Sequence, residues 1–143
     1  MAPKHGSSKS GRSKGPYRVF VSHATKDKAI ARDICEHIEL TTTAITFRDD
    51  RDIDSGEQID KVIEKQIRAV DEVVVLLTAT GRQRFWIGME VGMAVILKKR
   101  IVPIWYNTRV SSISFLATRK GYLFDQIADY LAALRERVEE KRR

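Results

Sequence analysis

The run Glu72-Val73-Val74-Val75-Leu76-Leu77-Thr78 decides the fold. A strand with one wet face alternates apolar and polar residues, and this run does not alternate. It is too short for a helix and is rich in β-branched residues, so it reads as a strand buried on both faces. Such strands belong to parallel sheets covered by helices on both sides.

The flanking sequence fits that frame. Upstream, Tyr17-Arg-Val-Phe-Val21 is a short β-rich run that ends abruptly in Ser22-His23-Ala24-Thr25. An amphipathic helix over Asp27 to Leu40 follows, with Ile30, Ile34 and Ile38 at four-residue spacing and Ala31 and Cys35 beside them. Ala44-Ile-Thr-Phe47 is a second strand. Arg48 to Gly56 is a polar loop holding Asp49, Asp50, Asp52 and Asp54. A second helix then points Ile59, Ile63, Ile67 and Val70 inward and Lys61, Lys65 and Arg68 outward.

Downstream of the central run, a loop from Thr80 to Phe85 leads into a third helix, Trp86–Leu97. Lys98, Lys99 and Arg100 stand where a helix C-terminus favours cations. Ile101-Val-Pro-Ile-Trp-Tyr106 reads as a fourth strand, weakened by Pro103, which has no N–H to donate. Within 107–121, Ile113-Ser-Phe-Leu116 fits either a short edge strand or a helical turn. A last helix over about 122–141 carries Ile127, Leu131, Leu134 and Val138 on one stripe and frays into Lys141-Arg-Arg143.

Strands alternating with helices through short loops give right-handed βαβ units and an α/β sheet of about five parallel strands flanked by helices. In the flavodoxin-like order 2-1-3-4-5, the strand order reverses between strands 1 and 3, and ligands bind beyond the carboxyl ends there. The loops at that point are Ser22–Lys26 and Thr78–Trp86, with Arg48–Gly56 alongside.

Those loops converge on the start of the third helix, where Glu90 is the only ionisable residue between Trp86 and Leu97. Burying its charge costs several kcal/mol unless something compensates. The acid is therefore either a structural one, paired with Arg84 or Arg48, or a reactive one at a pocket wall. The residue pattern leaves both open. Trp86 lies four residues earlier and so shares a face with Glu90.

Composition bounds the rest. At 143 residues the chain is about one domain. The net charge of +7 is concentrated in residues 1–16, where Lys4, Lys9, Arg12 and Lys14 meet no acid. That Ser/Gly/Lys-rich stretch is expected to be a disordered basic arm ahead of a domain over 17–143. The remainder is nearly balanced, which argues against a nucleic-acid-binding face. Neither an apolar leader nor a membrane-length run is present, so a soluble cytoplasmic protein is expected. Cys35 is the only cysteine and sits in a helical apolar pattern, the place of a buried reduced thiol.

Several chemistries are excluded. Neither G-x-G-x-x-G nor G-x-x-x-x-G-K-[ST] occurs, so the dinucleotide and triphosphate cradles are absent. A phosphoacceptor aspartate is missing at the end of strand 3, which reads Leu77-Thr78. His5, His23 and His37 lack metal-ligand spacing, and no metal is expected. Ser22 and His23 are neighbours, so a strand would send them to opposite faces and a nucleophilic triad is not supported.

Four motifs in order carry a family resemblance: Val19-Phe20-Val21-Ser22-His23, Asp49-x-x-Asp52-Ile53-x-x-Gly56, Val73-Val-Val-Leu-Leu-Thr78 and Trp86-x-x-x-Glu90. From Tyr17 to about Tyr106 the chain resembles the TIR (Toll/interleukin-1 receptor) domain in its prokaryotic form. The resemblance implies a scaffold that only assembles, or an enzyme that cleaves NAD at the nicotinamide–ribose bond. In the enzymes the glutamate of W-x-x-x-E is catalytic, which makes Glu90 the catalytic candidate. Breaking that bond develops oxocarbenium-like charge on the ribose, which a carboxylate near a dry wall stabilises. Nicotinamide leaves without a strong general acid because its ring nitrogen is already positive.

The same resemblance gives supporting residues. Trp86 packs on the substrate or orients Glu90, Arg48 and Arg51 meet the pyrophosphate, and Ser22 and His23 contact the ribose or carboxamide. Phe47 completes the substrate-binding set. NAD or NADP enters as substrate, with no cofactor. Self-assembly through homotypic contacts, a neighbouring subunit completing the site, a separate sensor or effector protein, and a role in bacterial defence against phage are further implications. The chain departs from the family in the loop Thr80-Gly-Arg-Gln-Arg-Phe85, where serine and tyrosine are usual, and the two arginines there suit a 2′-phosphate. It also lacks the proline often found before Gly56. The competing readings are a non-enzymatic TIR adaptor and a nucleoside deoxyribosyltransferase-like enzyme.

Overall fold

The computed structural model describes residues 15–48, 59–79, 84–108 and 119–143, with the backbone alone for 59, 60 and 84–86. The arm 1–14, the aspartate loop with Arg51, the segment 80–83 and Ile113–Leu116 lie outside the described residues.

The described elements run β1 (Arg18–Ser22), a 3-10 turn (Thr25–Asp27), α1 (Lys28–Thr41), β2 (Ile45–Phe47), α2 (Ile59–Arg68) and β3 (Glu72–Leu77). They continue with α3 (Arg84–Ile96), β4 (Arg100–Trp105), β5 (Tyr122–Leu123), a second 3-10 turn (Phe124–Gln126) and α4 (Ile127–Arg142). The strands form one sheet in the order β2-β1-β3-β4-β5, and all pairings are parallel. This is the expected flavodoxin-like order, with its reversal between β1 and β3.

Strand parity builds the two layers. Val74 and Leu76 of β3 pack with Ile34 and Ile38 of α1 and with Leu134 and Val138 of α4. Val73, Val75 and Leu77 pack on the other face with Ile63 and Ile67 of α2 and with Ile87, Val91 and Ala94 of α3. Every residue of β3 is buried, which is why the run shows no alternation. Each of the five apolar side chains from Val73 to Leu77 contributes roughly 1.5–3 kcal/mol on leaving water. Cys35 is buried in the α1 layer, and that burial raises its thiol pKa, while nearby Thr46 and Arg48 pull it the other way. It is a free, protonated thiol.

Two expectations for the C-terminal part need correction. The last helix begins at Ile127, because residues 122 and 123 pair with β4 at Ile104↔Tyr122 and Trp105↔Leu123. Gly121 makes this possible: a Cβ there would stand 2.5 Å from the Pro103 carbonyl oxygen. That carbonyl faces the β5 side, and the N–H that Pro103 lacks would point the same way. The β4–β5 ladder starts only at Ile104, so the proline costs the sheet no bond. Nor does the helix end loosely. Lys141 Nζ lies 2.9 Å from Asp71 Oδ2 and 3.1 Å from the Pro16 carbonyl, which fastens the last turn to the start of the domain.

Glu72, the polar edge of the central run, turns out to be completely buried. Its parity points it at α4, where Arg137 meets it through Nε at 2.9 Å and Nη2 at 3.1 Å. Tyr130 Oη donates to it at 2.6 Å and Tyr17 Oη at 2.7 Å. Four donors thus compensate one desolvated carboxylate and tie β1, β3 and α4 together at the amino ends of the strands.

Removing the cation from this cluster leaves a buried charge. Arg137→Ala is expected to destabilise the fold by about 3–5 kcal/mol and Tyr130→Phe by roughly 1.5–3 kcal/mol, measured by urea unfolding. Alkaline pH gives a second test. Burial, and then the Glu72 charge, raise both tyrosine pKa values above the ordinary range. Their contribution is complete below the unfolded pKa of about 10 and is lost as the unfolded tyrosines ionise above it. Stability should fall above about pH 10, less steeply in Tyr130→Phe than in the parent.

Candidate active site

The carboxyl ends of β1 and β3 meet the first half of α3. Positions 20 and 22 of β1 share the face that α2 and α3 cover, so Ser22 follows Phe20 toward α3. In α3 the buried stripe is Ile87, Glu90, Val91 and Ala94, while Gly88, Gly92, Val95 and Ile96 face outward. This is i, i+3, i+4, i+7 spacing, so Glu90 lies on the packed face of its helix.

Ser22 is fully buried and Glu90 is 7 % exposed. Ser22 Oγ donates to Glu90 Oε1 at 2.5 Å. One hydroxyl on the sheet therefore fixes one carboxylate oxygen on the helix, at the point where the strand order reverses. A hydrogen bond to an ionised acceptor is stronger than a neutral one.

The neighbouring chain supports that pair. His23 is 7 % exposed, and its Nδ1 lies 3.2 Å from the Val21 carbonyl oxygen. Asp27, also buried, closes the turn after β1 through its backbone N–H to the Ala24 carbonyl at 2.9 Å. Its Oδ2 accepts from Thr78 Oγ1 at 2.7 Å. The ends of β1 and β3 are thereby joined, so the residues flanking Ser22 are held from both strands.

The structure brings Glu90 and Ser22 together, with His23 next in the chain and its ring on the Val21 carbonyl. It puts Phe47 and Arg48 on a separate hollow of about 480 Å3 between the β1–β2 edge and α2, lined also by Phe20, Val62, Lys65 and Gln66. Phe47 is 41 % exposed there, and Arg48 is half-buried. Glu90 and Ser22 do not line this hollow. Arg51 lies outside the described residues, as do the side chains of Trp86 and Arg84; for Trp86 the helix backbone alone is described.

Sequence reasoning missed Asp27 and Thr78. Asp27 had a legible signal, since an acid just before an amphipathic helix is a helix-start residue, but its link to Thr78 joins positions 51 apart. Ser22 was legible as a strand-end residue; its bond to Glu90 spans 68 positions and had no local signal. Among the described residues no group of three His, Cys, Asp or Glu side chains is placed to hold a metal ion. No helix among them is long and apolar enough to cross a membrane.

Comparison with known proteins agrees with the fold. The TIR domain family model matches residues 19–138. Among solved structures the chain is similar to the TIR domains of the activated Roq1 resistosome directly recognizing the pathogen effector XopQ. The TM-score is 0.52 and the identity 19 %, over 88 % of this chain and 79 % of that one. At that identity the likeness speaks for the fold alone. No curated protein matches the chain in sequence. The family match spans both halves of the Ser22–Glu90 pair and every described element except Arg18 at the start of β1 and the last four residues of α4; the chain belongs to the TIR domain family.

Proposed function

We propose that the chain is an NAD- or NADP-consuming enzyme that breaks the nicotinamide–ribose bond, with Glu90 as the carboxylate at the reacting ribose. One observation carries this reading: an acid on the packed face of α3, held by the Ser22 hydroxyl at the β1–β3 reversal. Sheets of this type take their ligands at that place. The family resemblance of Trp86-x-x-x-Glu90 supplies the substrate class.

The chemistry follows from the geometry. As the bond to nicotinamide stretches, positive charge spreads over the ribose ring oxygen and its neighbouring carbon. A carboxylate whose position is already fixed stabilises that charge without having to reorganise. Ser22 fixes the carboxylate at the β1–β3 reversal, where it is to meet a ribose hydroxyl. Water then captures the cation to give ADP-ribose, or an internal nucleophile closes a ring; the extent of water exclusion selects between them.

Homotypic assembly belongs to the same proposal. Leu40, Ile45 and Phe47 are exposed at the β2 edge of the sheet, at 84 %, 41 % and 41 %. An apolar edge of this kind suits a protein contact, which serves an assembling enzyme and an assembling adaptor equally. A cytoplasmic effector in defence against phage, triggered by a separate sensor, is the biological setting that the resemblance implies.

The test is release of free nicotinamide from NAD and from NADP by purified protein at high concentration. Wild type should release it, and Glu90→Gln should lower the rate by at least about 100-fold. Absence of release from wild type under assembling conditions would favour the adaptor reading. Equal release from Glu90→Gln would remove Glu90 from the chemistry. Ser22→Ala, which loses one hydrogen bond to a charged group, should reduce kcat roughly 10- to 100-fold with a smaller change in KM.

A further inference from the structure

A second concave site lies at the opposite end of the sheet from Glu90. It is a cavity of about 600 Å3 lined by Lys98, Lys99, Arg100, Arg119, Lys120 and Arg137, with Ile101, Val102 and Tyr122 as its apolar floor. No acid is among the described residues that line it. Register locates it: Arg100 pairs with Glu72 at the amino ends of the strands, whereas Ser22 and Leu77 close the carboxyl ends. The length of β3 separates the two by roughly 16 Å at the usual strand rise.

Two separate segments supply the cations. Lys98, Lys99 and Arg100 follow α3, and Arg119 and Lys120 precede β5. The helix dipole accounts for cations after α3 but not for those before β5. The second group is carried in by Gly121, whose missing side chain lets the chain lie against Pro103. Lys98 has φ 59°, a left-handed position usually given to glycine or asparagine after a helix. A lysine there holds a backbone conformation that side-chain-bearing residues rarely adopt.

Not every charge is available. Arg137 is bound to Glu72, and Lys99 Nζ donates to the Arg68 carbonyl at 3.1 Å. Lys98, Arg100 and Lys120 are exposed at the rim. Like charges gathered in one hollow repel each other, and an anion bound among them reverses the sign of that interaction. Arginine adds a planar fork suited to phosphate oxygens, and lysine adds a point charge. The cations converge on one hollow whose volume falls within the usual range for small-molecule sites, so its occupant is compact.

We propose that this cavity binds a small polyphosphorylated anion, at a site separate from Glu90 and independent of whether the chain cleaves NAD. The test is calorimetric titration of the full chain with inorganic triphosphate at low and moderate salt. A parallel arm uses single-stranded and duplex oligonucleotides, which carry the same phosphate chemistry on a polymer. Wild type should bind triphosphate, more weakly as salt rises. The Lys98→Glu/Lys120→Glu variant should bind at least tenfold more weakly, with an unchanged urea midpoint. The Lys98→Gln/Lys120→Gln variant should lie between, which separates lost charge from introduced repulsion. No binding of triphosphate would overturn the proposal. So would equal binding by wild type and the charge-reversed variant, which would send the anion to another basic region. Oligonucleotide binding that depends on these lysines, without triphosphate binding, would replace the compact ligand by a polymer and overturn it equally.

Discussion

The sheet has no wet face at its centre, and the rest of the molecule follows from that constraint. β3 is buried along its whole length, so its odd and even positions each require a helical layer. A parallel strand with both faces covered can present functional groups only at its ends. Each end of this sheet accordingly carries buried carboxylates, Asp27 standing beside Glu90 at the carboxyl ends. Glu72 sits at the amino ends, facing α1 and α4, and Glu90 sits at the carboxyl ends, reached from α3.

The two acids show what distinguishes a structural carboxylate from a candidate reactive one. Glu72 is fully buried and takes donors from Tyr17, Tyr130 and Arg137, which use both of its oxygens. Its arrangement joins three elements, and a substrate has no way in. Glu90 is held by Ser22 on Oε1, at the end of the sheet where ligands of such folds are received. Both solve the cost of burying a charge. The difference lies in position within the sheet and in which groups hold the acid.

Much of the fold was legible because it rests on local patterns. The unbroken apolar run named β3, and four-residue spacing named α1 and α2 with Ile34, Ile38, Ile63 and Ile67 on their buried sides. βα alternation implied parallel strands, while their order rested on the flavodoxin-like fold taken for the sheet. The C-terminal part was less legible. A two-residue strand carries no periodicity, and Gly121 reads as a plain loop glycine until Pro103 is seen beside it. Glu72 looked like the polar boundary of a strand, since its partners lie 55 to 65 positions away. At the candidate site, Glu90 was conspicuous as one charge in an apolar helix, whereas its bond to Ser22 and the Asp27–Thr78 link exist only after folding.

The central claim is spatial: the side chain at position 90 meets the ribose of the dinucleotide. Its most direct test is a crystal structure of Glu90→Gln with intact NAD bound. The account predicts a hydroxyl of the nicotinamide ribose within about 3 Å of the position 90 side chain, at the β1–β3 reversal. NAD seated elsewhere, with its nicotinamide ribose away from α3 and Ser22, would contradict it.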